Sequence, residues 1–299
     1  MASPVARPTP VLADGPSAAR SVPLARLLGL ASLHLLVIAL CALTIFPLLW
    51  MVSTAFKDAR EVFAPGLRLI PSAPTLANFP DAFRVFPIGW WFFNSATIAV
   101  ATTLGKLAIS LPAAYAFTRL DFPGRRLCFS LVVGTMIVPF VVTIIPSYIM
   151  VAKLDWLNTR QGVIVPSVAH TAFYVFLLRQ YILTLPPEIF DAARIDGAGP
   201  WSILWKIVVP NIRPAIAVVT ILAFLGAWNQ YIWPLLVLND LDAKTLAVGM
   251  QFFARNSDSG QLWGPMMATA TLATIPPLAL YALAQRQIIS TFVTSGVKG

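Results

Sequence analysis

The sequence predicts an all-helical protein that crosses a membrane six times. Apolar residues make up 58% of the chain and charged residues only 11%, whereas soluble domains carry about 25% charged residues. The apolar residues gather into six stretches, each long enough for the roughly 20 residues that a helix needs to cross a hydrocarbon core. This composition excludes an ordinary soluble globule, a disordered chain and a nucleic-acid-binding domain.

The six stretches are bounded by charged residues. All 12 acidic residues fall outside them, as the cost of placing charge in hydrocarbon requires. The first stretch is too long for the core of a signal peptide and lacks a following cleavage site, so we expect a retained helix. Residues 1–25, rich in Pro, Ala and Ser, are expected to be a disordered tail, and residues 26–299 the membrane domain. The predicted spans are 27–55, 90–118, 127–152, 162–182, 214–238 and 263–285.

Basic residues set the expected orientation. Twelve of the 21 lysines and arginines lie on the side of the termini, eight lie on the opposite side, and Lys106 lies inside the second span. The positive-inside rule therefore predicts that both termini are cytoplasmic. The long side chain of Lys106 is expected to snorkel to the cytoplasmic headgroups, in preference to lining a transport path.

The connection between the fourth and fifth spans, residues 185–210, predicts two short helices joined by a sharp corner. Pro187 suits a first helical turn, where its missing N–H would have no partner. Glu188 and Asp191 place negative charge near the positive end of the helix dipole. Gly197 can adopt the left-handed conformation that ends a helix, so the corner is predicted there.

The second short helix is predicted to open at Pro200 and to end at Pro210, which removes a backbone donor and clashes with the preceding turn. Its apolar residues recur at i, i+3, i+4 and i+7 and predict one apolar stripe. Geometry alone leaves two interpretations open: an interfacial elbow, or an element that docks on a cytoplasmic protein through charges around a small Ala192–Ala193 surface. The stripe comprises Trp201, Leu204, Trp205 and Val208.

The same connection carries a long motif. Asp191-Ala-Ala-Arg-Ile-Asp-Gly-Ala198, followed by Pro210, resembles the EAA loop of ABC importer permeases, in which Glu-Ala-Ala is followed by Gly and an apolar stretch closing in Pro. Asp191 stands where that motif usually has Glu, which keeps the charge and shortens its reach. The similarity extends over roughly residues 25–299. It includes Asn94-Ser95, Ala113 to Arg119, Trp228 to Leu236, Gln285-Arg286 and Gly296 to Gly299.

The chain is thus similar to the six-span permease subunits of carbohydrate-uptake importers of the maltose type, with the type I importer fold. Its fifth-span and terminal pieces also resemble permeases for glycerol 3-phosphate. The resemblance implies a bacterial cytoplasmic (inner) membrane location and, as partners, a second six-span permease subunit, two ATPase subunits or domains, and an extracytoplasmic solute-binding protein.

In this family the loop is a coupling helix seated in a cleft of the ATPase. Because the chain lacks a G-x-x-x-x-G-K-[ST] phosphate loop, we expect it to bind no cofactor itself, and ATP and Mg to be used by the partner ATPase. The residues expected in the coupling loop are Asp191, Ala192, Ala193, Arg194, Asp196, Gly197, Leu204 and Pro210.

A solute path must be polar where lipid cannot reach. Amides can bond sugar hydroxyls while aromatic faces pack on the ring, so a neutral sugar is the expected solute and glycerol 3-phosphate the alternative. The aromatic candidates could equally form an interfacial belt. The expected path residues are Asn94, Asn229, Gln230, Tyr231 and Trp233.

Two other classes of function compete. A membrane enzyme needs a catalytic constellation, but the chain has only His34 and His170 and no intramembrane acid to orient either. A lone ion-coupled carrier is disfavoured for protons by the missing intramembrane carboxylates, whereas sodium coupling stays open. Neither rival explains the motif between the fourth and fifth spans.

Overall fold

The computed structural model describes residues 24–66, 68–255 and 262–296, and the regular elements among them are all helices. This confirms the predicted all-helical class. In chain order the helices are α1 (Leu24–Ala55), α2 (Ala59–Val62), α3 (Asn78–Val85), α4 (Ile88–Arg119), α5 (Arg125–Thr135), α6 (Phe140–Lys153), α7 (Arg160–Ala169), α8 (Ala172–Leu183), α9 (Glu188–Ile195), α10 (Pro200–Ile203), α11 (Val209–Asn211), α12 (Arg213–Trp228), α13 (Ile232–Val237), α14 (Leu246–Arg255) and α15 (Trp263–Gly296), with a π-helical turn at Leu204–Val208.

The chain divides into two compact units at Leu49 and Trp50. In the first unit, residues 28–49 form the greater part of α1, and none of their side chains is buried. Its polar side chains bond back along the helix: Thr44 Oγ1 donates to the carbonyl oxygen of Cys41 at 2.9 Å. A helix that is apolar on every side is typical of a membrane span. The tail expected at residues 1–25 lies almost wholly outside the described residues.

Among the described residues, four helices or helix pairs can cross a membrane without a sharp bend: Leu28–Ala55, Ile88–Arg119, Arg213–Val237 and Trp263–Gln285. They match the first, second, fifth and sixth predicted spans. The third and fourth predicted spans, in which Pro139 and Pro166 were expected to kink the helix, are each a pair of helices, bent by 96° between α5 and α6 and by 46° between α7 and α8. The structure therefore supports four crossings, or up to six if each bent pair is one span.

Local backbone chemistry explains both breaks. Pro139 precedes α6 in an extended conformation, with φ −62° and ψ 137°, and the residue before a proline is itself pushed away from helical angles. Between α7 and α8, His170 leaves the helical region with ψ at 65°, four residues after Pro166, whose ring cannot donate a helical hydrogen bond. These breaks lie inside apolar runs, so hydropathy does not reveal them.

In the second unit, residues 50–296, helix α4 lies at the centre and packs against α7, α8, α12 and α14. Its C-terminal half shares one buried cluster with α8, α12 and the residues that follow α8. Its N-terminal half packs against α14 and the residues around Trp228. One continuous helix thus joins the two ends of this unit.

Candidate coupling segment and solute cavity

The residues between α8 and α12, 185–212, are here called the bent segment. Helix α9 begins directly after Pro187, as predicted, and ends in a left-handed glycine, Gly197, with φ at +79°. The N–H of Ala198 donates to the carbonyl oxygen of Ala193 at 2.9 Å, and that of Gly197 to Arg194 at 3.0 Å. This is the paired bonding of a glycine helix stop. The predicted corner is confirmed, and its angle is set by backbone bonds.

The second half of the bent segment opens at Pro200 after Gly199, as predicted. The prediction that Pro210 ends the helix is wrong, because helical backbone continues to Asn211. The reason is the π-helical turn at Leu204–Val208, where the N–H of Val209 bonds to the carbonyl oxygen of Leu204, five residues back. Such a turn adds a residue to the helical repeat and accommodates the proline without a break.

The predicted single apolar stripe is also wrong. Leu204 and Val208 are 1% and 0% exposed, whereas Trp201 and Trp205 are 64% and 54% exposed. The buried face instead consists of two pairs of neighbouring residues. Ile203, next to Leu204, is 2% exposed, and Ile207, next to Val208, packs against the same cluster. The two tryptophans therefore stand on the outer face.

Arg119, the last residue of α4, holds the start of the bent segment. Its Nη2 donates to the carbonyl oxygen of Leu185 at 2.8 Å and to that of Ile182 at 3.3 Å. Its guanidinium carbon lies 4.1 Å from the ring centroid of Phe190, a side chain 2% exposed in α9. A cation over a desolvated ring adds attraction to the hydrogen bonds. One side chain thus joins α4, the end of α8 and α9.

Arg194, in α9, forms a hydrogen bond back to the end of α4. Arg194 Nη2 donates to the backbone carbonyl oxygen of Arg119 at 3.0 Å, and its Nη1 to Asp191 Oδ1 at 3.2 Å. The Asp191–Arg194 ion pair is exposed and contributes little stability by itself. The pair orients the guanidinium of Arg194 toward the end of α4. Helix α9 and the end of α4 are therefore linked twice, by Arg119 against Phe190 and by Arg194 to the Arg119 carbonyl oxygen.

Most residues expected in the coupling loop are exposed. Asp191, Ala192, Arg194, Asp196, Gly197 and Pro210 lie at the surface, whereas Ala193 and Leu204 are buried in the core cluster. Sequence reasoning missed two features of this surface. Ile195 is 86% exposed, and an apolar residue between two charged ones on a short helix was the available signal. Arg119 entered only the charge count and the family resemblance of residues 113–119, and its bonds to backbone 63 and 66 residues away left no local signal.

The second candidate site is a central cavity of about 200 Å³. Four chain regions enclose it: the middle of α4, helix α6, the end of α7, and the junction of α12 with α13. The breaks in the third and fourth predicted spans bring α6 and the end of α7 to this position. The lining residues are Thr102, Lys106, Phe140, Ser147, Pro166, Ser167, His170, Gly226, Ala227, Gln230 and Trp233.

Two of the five expected path residues line this cavity. Gln230 is half-buried, and its Oε1 accepts from Ser167 Oγ at 3.2 Å. Trp233 is 1% exposed, and its Nε1 donates to the carbonyl oxygen of Gly162 at 3.2 Å. Trp233 therefore presents a fixed aromatic wall, because its only polar atom is already bonded to the α7 backbone.

The other three expected path residues lie elsewhere. Asn94 is 2% exposed, and its Nδ2 donates to the carbonyl oxygens of Asp242 at 2.8 Å and Lys244 at 3.0 Å. Its Oδ1 accepts from Arg160 Nε at 2.9 Å, so its hydrogen bonds join α4 to the loop before α14. Burial lowers the pKa of Lys244 in that loop, with a smaller opposite effect from Asp240.

Asn229 and Tyr231 stand at the break between α12 and α13. Asn229 is the exposed residue after α12, and Tyr231 donates its hydroxyl hydrogen to Gln251 Oε1 at 3.1 Å. Neither residue is among those that line the central cavity.

Lys106, which was expected to snorkel to the headgroups, borders the central cavity. Its Nζ is 4.8 Å from the ring centroid of Tyr174, and its side chain forms part of the cavity wall. The expectation that it snorkels to the headgroups rested on its depth along α4. The bent helices α6 and α7, which form the cavity beside it, could not be read from hydropathy.

Comparison with known proteins agrees with the helical architecture and with the motif of the bent segment. Residues 106–291 match the family described as the binding-protein-dependent transport system inner membrane component. The chain belongs to this family. It is a transport permease, and the match covers α4 from Lys106 onward, the bent segment and every residue that lines the central cavity except Thr102.

Characterised permeases align with almost the whole chain. The sn-glycerol-3-phosphate transport system permease protein UgpE of Pectobacterium atrosepticum is 33% identical over 268 residues, which cover 88% of this chain and 95% of the relative. The arabinooligosaccharides transport system permease protein AraQ of Halalkalibacterium halodurans is 35% identical over 260 residues, which cover 86% and 92%. The function of an importer permease subunit, predicted from the loop motif, is thereby confirmed.

Solved structures show the same fold. A chain of a bacterial ABC transporter involved in import of the acidic polysaccharide alginate superposes with a TM-score of 0.78 at 22% identity, covering 91% of this permease and 100% of that chain. A second alginate transporter structure, in complex with an alginate pentasaccharide-bound periplasmic protein, gives a TM-score of 0.57 at 15% identity over 86% and 92% of the two chains. The type I importer architecture expected from the sequence is thus supported by the fold.

Proposed function

We propose that the bent segment of this permease is the surface on which a separate ATPase subunit docks, and that the segment passes the motion of that subunit to α4. The observation that carries the proposal is the pair of links between α9 and the C-terminal end of α4: the Arg119 guanidinium lies over the Phe190 ring, and Arg194 donates to the carbonyl oxygen of Arg119. Coupling requires a physical link with two positions that both sites can bias. A helix fixed at both ends transmits a displacement better than a flexible tether.

The outer face of the bent segment is suited to a protein partner. Asp191, Arg194 and Asp196 are exposed charges around the small side chain of Ala192, and Ile195 adds an exposed apolar contact. The inner face is anchored by buried apolar residues, among them Phe190 and Leu204. A partner that grips the outer face would therefore move the segment together with the core beneath it.

The complete importer is proposed to contain a second permease subunit, two ATPase subunits or domains that use ATP and Mg, and an extracytoplasmic solute-binding protein. The central cavity, of about 200 Å³, is small for a path that a sugar must pass, which supports a companion that completes the path. The excess of basic residues on the side of the termini supports cytoplasmic termini and a cytoplasmic bent segment.

The solute is proposed to be a sugar or a related polyol. Gln230, Ser167 and the face of Trp233 supply the amide, hydroxyl and aromatic surfaces that a carbohydrate uses. Glycerol 3-phosphate is the second candidate, because Lys106 adds a positive charge to the same wall.

Reconstitution tests the docking role. Asp191→Lys reverses an exposed charge on α9, and Asp121→Lys is the matched control, since Asp121 is also exposed and paired with an arginine, Arg125. The importer is assembled in liposomes with its ATPase and binding protein, and ATP-driven uptake of the bound solute is measured. We expect Asp191→Lys to insert normally and to lose uptake, while Asp121→Lys keeps it.

Two results would reject the proposal. Uptake by Asp191→Lys at the level of the control would remove the bent segment from coupling. Uptake by the wild-type permease in liposomes that lack an ATPase subunit would show a lone ion-coupled carrier instead.

A further inference from the structure

Lys106 carries a charge that no carboxylate neutralises. It is half-buried in the middle of α4, and among the described residues no Asp or Glu lies within ion-pair distance of it. Its ammonium contacts the ring of Tyr174 at 4.8 Å. Placing a charge within a span is costly, and such residues face protein or a cavity where they serve transport. The contact with a single aromatic ring leaves most of the ammonium's hydrogen-bonding capacity unused.

A second group in the same wall also lacks a partner. Thr102 is 0% exposed, and its Oγ1 makes no hydrogen bond within the described structure. Leaving a buried hydroxyl unbonded costs roughly 1–3 kcal/mol. Thr102 lies four residues before Lys106 on the same face of α4 and borders the cavity, although its hydroxyl oxygen is closed to solvent.

The amide of Gln230 adds a donor to the same wall. Ser167 donates to Gln230 Oε1, which leaves the amide Nε2 of Gln230 as a donor. An ammonium and an amide N–H together match an anion such as a phosphate or carboxylate, which offers only acceptors when ionised. A neutral sugar would leave the charge of Lys106 without a counter-charge.

We propose that the central cavity binds the anionic group of a phosphate- or carboxylate-bearing polyol, with Lys106 as its counter-charge and Gln230 as a neutral donor. This rests on the proposed function and, of its candidate solutes, favours an anionic one over a neutral sugar. The cavity of about 200 Å³ is smaller than the roughly 300 Å³ at which drug-sized sites begin, so it accommodates a small polyol or one unit of a longer chain.

Charged thiol reagents measure the sign of the potential in the cavity without a known solute. The native cysteines, Cys41 and Cys128, are first replaced by Ala, and a single thiol is introduced by Ser147→Cys in the cavity or by Ala73→Cys on the exposed connection before α3. In the purified assembled importer, the rate of modification by an anionic sulfonate reagent is compared with that by a cationic ammonium reagent of the same size.

We expect the ratio of anionic to cationic rates to be roughly tenfold higher at the Ser147→Cys thiol than at the Ala73→Cys thiol, because a nearby charge acts strongly in a partly desolvated site. Lys106→Met should abolish the difference and Lys106→Arg should keep it. Lys153→Met, which removes an exposed lysine at the end of α6, is the charge control and should have no effect. A ratio unchanged by Lys106→Met overturns the proposal.

Protection of the Ser147→Cys thiol identifies the anion. The probes are sn-glycerol 3-phosphate and D-glucuronate, with glycerol and D-glucose as their neutral counterparts. Slower modification with the phosphate assigns a phosphate-bearing solute, and slower modification with glucuronate assigns a carboxylate-bearing one. Protection by neither anion, or equal protection by the neutral counterparts, overturns the assignment.

Failure of this inference is distinguishable from failure of the proposed function. If the cavity is not selective for anions, the reagent rates lose their asymmetry while Asp191→Lys still abolishes ATP-driven uptake. If the bent segment does not couple, Asp191→Lys transports normally while the asymmetry at the Ser147→Cys thiol persists.

Discussion

The bent segment and the central cavity place their charges in opposite directions. In the bent segment, consecutive residues fix their own backbone, bury apolar side chains and turn Asp191 and Asp196 outward. In the cavity, residues from four regions far apart in the chain turn the charge of Lys106 inward. An outward charge on a rigid support suits contact with another protein, whereas an inward charge suits a solute.

Helix α4 connects these two regions. Arg119 holds the bent segment at one end of the helix, and Lys106 lies 13 residues earlier in the cavity wall, about 20 Å away at the rise of an α-helix. The helix is continuous from Ile88 to Arg119, although it contains Pro112. A displacement of the bent segment can therefore reach the cavity through one rigid element, and substitutions should separate the two roles.

The largest expected effect comes from Gly197→Pro. Proline fixes φ near −65°, whereas Gly197 has φ at +79°, so the corner cannot form and uptake should fall by roughly a hundredfold or more. Gly199→Ala is the control, because Gly199 has φ at −72° and open space around a new Cβ. Uptake in liposomes checks both variants, and a Gly197→Pro importer as active as Gly199→Ala would show that the corner does not matter.

Arg119→Met should uncouple the two regions. It keeps an unbranched side chain but removes the bonds to the carbonyl oxygens of Ile182 and Leu185. Coupling free energies typically change an equilibrium by five- to 150-fold, so uptake per ATP hydrolysed should fall roughly tenfold while the ATPase still co-purifies. Arg126→Met, at an exposed arginine in the first turn of α5, should behave as wild type. Equal uptake per ATP in both variants would contradict a role for Arg119 in transmission.

Gly162→Ala should destabilise the scaffold of the cavity and spare the bent segment. A Cβ at Gly162 would lie 2.2 Å from the backbone oxygen of Trp156, and such overpacking typically costs 1–3 kcal/mol. We expect a lower melting temperature in detergent with retained ATPase binding. Gly134→Ala, where a Cβ meets nothing within 4 Å, is the control, and the same melting temperature for both variants would refute the close contact.

The smallest expected effect is that of Thr102→Val. Removing an unbonded buried hydroxyl should leave the melting temperature unchanged or slightly raised, and uptake should stay close to that of the wild type because the hydroxyl is closed to solvent. Ser110→Ala removes another unbonded buried hydroxyl of α4 that does not line the cavity. A loss of uptake in Thr102→Val alone would show that the Thr102 hydroxyl reaches the solute.

The features that could be predicted from sequence are those encoded by neighbouring residues. The start of α9 after Pro187, the corner at Gly197 and the opening of the next helix at Pro200 each follow from backbone preferences of one or two residues. The loop motif is contiguous for the same reason, and it led to the correct family. The first, second, fifth and sixth spans were found because apolar length alone defines them.

The features that could not be predicted depend on residues far apart in the chain. Asn94 was assigned to a solute path, but its carbonyl partners lie 148 and 150 residues away and make it a structural bridge. The breaks at Pro139 and His170 shape the cavity around Lys106, and although prolines indicated kinks there, no local signal gave the bend angles. Packing on the core cluster decides which side of the second short helix is buried, so Trp201 and Trp205, which the repeat had placed inside, lie on the outer face.

Site-specific photo-crosslinking tests the central claim most directly, namely that a separate ATPase subunit grips the bent segment. A photoreactive amino acid replaces Ile195, which is 86% exposed at the end of α9, or Ala73 on the exposed connection before α3. In the assembled importer we expect illumination to join the ATPase subunit to the Ile195 position and not to the Ala73 position. Adducts of the Ile195 position with lipid alone, in a complex that contains the ATPase, would contradict the account.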